Sequence, residues 1–148
     1  MSVKNRLAAF VAAATFACVS FAALAEDHPY SEGNVVNVAM IRTVDGHFDD
    51  YMAWLATGWK KQQEAAKKLG YIVSYQVVTI EARTPHDPDI LLITTYKNWA
   101  ALDGALAKGD EVVKQMGQTN EQSNKEQADR SKIRTVLGSS TMQVLDLK

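Results

Sequence analysis

The stretch Val35–Thr43 constrains the fold of this chain more than any other, because it is apolar on both sides. Side chains alternate along an extended strand, so Val36, Val38 and Met40 point one way and Val35, Ala39 and Ile41 the other. Two later stretches share the property. Tyr71–Arg83 carries Ile72, Val73, Tyr75, Val77, Val78 and Ile80. After the turn residues Thr84-Pro85-His86-Asp87-Pro88 comes Ile90–Tyr96, so the two stretches are expected to pair as an antiparallel hairpin. An antiparallel sheet with one wet face alternates cleanly between apolar and polar. These strands do not, so both faces of their sheet need a cover.

Helices supply one cover. Phe48–Gly70 places Phe48, Met52, Leu55, Trp59, Ala66 and Leu69 at the three-and-four spacing of a buried helical face. Lys60, Lys61, Glu64, Lys67 and Lys68 form its wet side, and Gly70 suits the helix C-terminus. Asn98 predicts an N-cap for a second helix, with Trp99, Leu102, Leu106, Val113 and Met116 on one face and a break near Gly109. In Gln118–Lys132 the only apolar residue is Ala128, while Glu121 with Lys125 and Glu126 with Arg130 stand four apart. A solvated helix is expected there, with a mobile lid as the alternative. Ile133–Leu137 brings the chain back to the core, and Thr141–Leu147 reads as the last strand. The predicted fold is therefore α+β: a ferredoxin-like βαββαβ order, a four-stranded antiparallel sheet and an extra helical segment before the last strand. Right-handed crossovers put both helices on one side. The opposite face calls for a second copy of the same sheet, hence a homodimer.

Residues 1–25 form no part of that domain. Lys4 and Arg6 precede an apolar run, Leu7–Leu24, that ends in Ala23-Leu24-Ala25, the pattern of a secretory signal peptide and its cleavage site. Residues 26–34 then read as a flexible leader and 35–148 as one domain. A periplasmic or secreted location is expected. Cleavage removes Cys18, the single cysteine of the chain, and with it any disulfide or thiolate chemistry. It also removes two of 16 basic residues and none of 17 acidic ones, leaving a mildly acidic domain with no electrostatic footprint for nucleic acid or an anionic membrane.

The run Trp54-Leu55-x-x-x-Trp59-Lys60 leading to Glu64-Ala65-x-x-Lys68-x-Gly70, followed by Tyr96-x-Asn98-Trp99-Ala100-Ala101-Leu102, resembles exported bacterial members of the dimeric α/β-barrel superfamily. That resemblance implies two ferredoxin-like protomers packed sheet to sheet. It implies no single chemistry, because the superfamily spans cofactor-free monooxygenases, haem-degrading enzymes, isomerases and ligand sensors. The haem-degrading branch uses a histidine of the second helix, and Trp99–Met116 has none. The quinone-forming monooxygenase branch uses an asparagine on the first strand with a tryptophan and an arginine; Asn37 with Trp54 or Trp59 answers in part.

Candidate site residues follow from chemistry. His47 stands at a helix entry beside Asp45, Asp49 and Asp50, and it and Tyr51 are the acid-base candidates. Asn37, Trp54, Trp59, Tyr75 and Tyr96 are the candidate ligand-binding set, suited to an apolar or aromatic small molecule. HExxH, GxSxG and phosphate-loop patterns do not occur, and no metal or cofactor is expected. Two functions remain in view: an exported small-molecule-binding protein, with cofactor-independent catalysis on an aromatic or polyketide-like substrate as its extension, and a non-catalytic envelope or stress-associated protein whose aromatics are only core.

Overall fold

The computed structural model describes residues 27–148, so the expected signal peptide lies outside the described residues. The order is β1 (Tyr30–Thr43), α1 (Phe48–Trp54), a π-helical turn (Leu55–Trp59), α2 (Lys60–Lys68), β2 (Ser74–Thr79), β3 (Ile90–Tyr96), a 3₁₀ turn (Trp99–Leu102), α3 (Ala105–Gln115), α4 (Asn120–Arg130) and β4 (Arg134–Leu147). The strands form one antiparallel sheet in the order β2-β3-β1-β4, the ferredoxin-like topology expected from the sequence.

Register decides which face each side chain takes. Val35, Ala39 and Ile41 share a face with Ile90, Leu92, Tyr75 and Val77, and the helices pack on that face. Its core joins Ile41, Ile90 and Leu92 to Tyr51, Leu55 and Trp59 of the long helix. Residues spaced by four drift about 40° per step around an ordinary α-helix. The wider turn at Leu55–Trp59 takes up part of that drift, so Tyr51, Leu55 and Trp59 are all buried. Thr57 supports the turn by donating its hydroxyl to the Ala53 carbonyl, 2.9 Å away. Gly70, at φ 76°, ends the helix as expected: the Tyr71 amide bonds the Ala66 carbonyl and the Gly70 amide bonds that of Lys67, each at 3.0 Å.

Four boundaries differ from the sequence expectation. β1 starts at Tyr30 rather than Val35, because Tyr30–Glu32 pair with Asp146, Leu147 and Leu145 across a bulge. β2 is shorter, since Tyr71 belongs to the helix-ending turn and the Ile80 amide closes the hairpin onto Asp89. The second helix breaks at Gly104, φ 67°, rather than Gly109: Asn98 caps only a single 3₁₀ turn before the chain reverses. That break rotates α3, leaving Leu106 88% exposed. β4 runs unbroken from Arg134, with an extra residue at Leu137 absorbed as a bulge. α4 is the solvated helix the charge pattern predicts, held at its start by a Thr119–Gln122 capping box and burying no residue.

The other sheet face has no cover within the described residues. It carries Val36, Val38 and Met40 of β1 with Leu91 and Ile93 of β3. Val78 of β2 and Met142 and Val144 of β4 extend it, and these three are exposed.

Candidate ligand-binding cleft

α2 and α3 pack side by side and leave a cleft of about 200 Å³ above β3. Its floor is Ala66, Ile72 and Val112, the buried centre of a second apolar cluster. Its walls come from five separate elements: Gln62 and Gln63 of α2, Tyr71 of the turn, Thr94 and Tyr96 of β3, Ala101 and Leu102 of the 3₁₀ turn, and the α3 face of Ala105, Lys108 and Gly109. Those α3 positions repeat at helical spacing with Val112, so the helix turns one consistent face to the cavity.

Two polar groups give the cleft its chemistry. Lys108 donates to the Ala101 carbonyl at 2.8 Å, and its Nζ lies 5.6 Å from the centre of the Tyr71 ring. Its charge is thus met by a backbone oxygen and a ring face rather than a carboxylate. Burial raises the pKa of the Tyr96 phenol above its ordinary value, so it remains a neutral hydroxyl at physiological pH. Tyr71 donates to Glu111, and that hydrogen bond raises its pKa too. The arrangement offers a flat apolar slot with a cation and a phenol at its edge, suited to binding an oxygen-bearing aromatic molecule.

Of the residues singled out in the sequence, Tyr96 alone lines this cleft. Asn37 lies on the helix side of β1, paired with Thr94 in the sheet, and donates to the Thr141 hydroxyl at 2.9 Å. Tyr75 stands between the two apolar clusters and donates to Glu64, which raises its pKa. Trp59 is buried edge-on against Tyr75, ring centres 5.3 Å apart. Tyr51 is 1% exposed within the first apolar cluster, and burial raises its pKa. His47 is at the surface, 2.8 Å from Asp50, at the start of α1. Trp54 belongs to a different cavity beside α4. Sequence reasoning missed Lys108. The available signal was a lysine on a stripe otherwise made of Ala105, Gly109 and Val112.

The sequence matches no family model and no curated protein. Among solved structures the chain is similar to HapK from Hahella chejuensis, with 16% identity and a TM-score of 0.47 over 73% of this chain and 90% of that one. It is also similar to protein SO0527 from Shewanella oneidensis, with 17% identity and a TM-score of 0.49 over 79% of this chain and 96% of that one. At these identities and scores neither transfers a residue or a role.

Proposed function

We infer that this is an exported small-molecule-binding protein that pairs sheet to sheet as a homodimer and holds its ligand in the cleft between α2 and α3. The observation that carries the binding role is the cleft itself, an apolar slot with Lys108 and Tyr96 at its edge. Its volume suits a compact molecule of one or two rings, since a dry cavity of about 150 Å³ already accepts benzene. A ligand carbonyl accepting from Lys108 and Tyr96 supplies the orientation. The uncovered apolar face supports the dimer.

Acetophenone and related aromatic ketones are the probes of choice, followed by calorimetric titration. Lys108→Met is expected to weaken their binding about tenfold or more, and Tyr96→Phe by less, since hydrogen bonds to charged groups are worth about 1.5–3 kcal/mol. Binding that ignores both substitutions, or no binding by any aromatic ketone, rejects the cleft. Export rests on the basic start, apolar run and Ala23-Leu24-Ala25 ending. Mass spectrometry of envelope-fraction protein is expected to find a terminus near Glu26, and an intact Met1 ends that part of the reading.

A further inference from the structure

Beside Trp54 of α1, two half-buried arginines, Arg130 and Arg134, each hold one buried donor atom without a partner among the described residues. Trp54 stacks on Tyr51, ring centres 5.6 Å apart and planes 20° apart. The Arg130 guanidinium sits 4.1 Å from the centre of the Trp54 ring, and that of Arg134 lies 5.6 Å from the centre of the Tyr51 ring. Nε of each arginine is buried and makes no hydrogen bond among the described residues. Burial, and then the positive charge of Arg134, lower the pKa of Arg130. Two like charges in such a place need an anion.

The nearby carboxylates provide it only in part. Glu126 stands 3.9 Å from Arg130 and accepts from Gln118 at 2.8 Å. Asp129 is held by Lys132 at 2.8 Å, which lowers its pKa. Asp89 faces the Thr43 amide and hydroxyl. Arg134 forms no ion pair among the described residues, in contrast to Arg130.

We propose that Arg130, lying over Trp54 and with the Arg134 charge nearby, forms a binding site for an oxyanion. A guanidinium carries planar donor edges, the geometry that carboxylate and phosphate oxygens match. A cavity of about 260 Å³, bordered by Trp54, Arg130 and Ile133, takes the body of the ligand. Glu126 and Asp129 also border it, which disfavours a dianion and favours a carboxylate whose apolar part lies on Trp54 and Ile133. α4, which carries Arg130, buries no residue of its own.

The test uses the mature chain, titrated with sodium benzoate or sodium phosphate against sodium chloride at equal ionic strength, read by melting temperature and tryptophan fluorescence. Benzoate is expected to raise the melting temperature of the wild type, with an affinity that Arg130→Gln and Arg134→Gln each weaken about tenfold or more. Arg134→Lys, which keeps the charge, is expected to stay close to the wild type. In chloride alone Arg134→Gln should melt no lower than the wild type, because one of two crowded like charges has gone. The exposed Lys60→Gln serves as the charge-loss control and should respond as the wild type does. A response to benzoate but not phosphate identifies an organic carboxylate, and a response to both identifies a bare oxyanion; either supports the site. No anion response in the wild type, or an undiminished one in Arg130→Gln and Arg134→Gln, overturns it.

Discussion

Val38→Asp is expected to break the proposed sheet-to-sheet dimer into monomers at micromolar concentration and to leave the monomer less stable. Val38 lies mid-strand in β1, paired with Ile93 on one side and Ser140 on the other, with its side chain on the face the helices do not cover. Around it lie Val36, Met40 and Leu91, with Val78, Met142 and Val144 farther out. An uncovered apolar face of this kind ordinarily marks an association surface. A second copy placed face to face satisfies it by symmetry, each Val38 lying within the other's patch. An aspartate there would be buried without a partner, at a cost of several kcal/mol per protomer. Light scattering coupled to size exclusion is the measurement. Leu106→Asp, on a residue exposed on α3, is the matched control and is expected to remain dimeric. A monomeric wild type, or a Val38→Asp protein that elutes as a dimer, would remove the sheet face as the interface.

The elements with strong periodic signals were legible before any coordinates. β3 runs from Ile90 to Tyr96 as its apolar run and flanking turn suggested, and the helix opened by Phe48 ends in the turn at Gly70. What the pattern could not decide was the face of β1, because a strand apolar on both sides reads the same after a slip of one residue. Packing resolves it, with Val35, Ala39 and Ile41 turned to the helices. The second helix misled for a different reason. Both Gly104 and Gly109 weaken a helix, and only the backbone shows that Gly104 takes the positive φ while Gly109 stays helical. The cleft was hardest to see. Gln62, Tyr71, Tyr96 and Lys108 are far apart in sequence and meet only because α2, β3 and α3 converge. Aromaticity pointed to Tyr96; Lys108 was marked only by its place on a stripe of Ala105, Gly109 and Val112.

The same convergence separates the aromatics that hold the fold from those that face a ligand, and Trp59 is where the distinction can be measured. Trp59→Ala is expected to cost about 3–5 kcal/mol of folding stability, the usual range for truncating a buried tryptophan. The residue is 7% exposed, sits among Ile41, Tyr51, Leu55, Ile90 and Leu92, and meets Tyr75 edge to face. Within a total stability of roughly 5–15 kcal/mol, such a loss is a large share. Urea unfolding of wild type, Trp59→Phe and Trp59→Ala gives the size directly, with the phenylalanine expected to keep much of the packing. Trp59 does not line the cleft between α2 and α3, so acetophenone affinity, measured where the variant is still folded, should change little. A ligand-wall role would give the opposite pair of results, weak binding with nearly unchanged stability. A loss below about 1 kcal/mol on truncation would place Trp59 outside the core, because removing so large a buried side chain without leaving a cavity requires neighbours that were never packed against it.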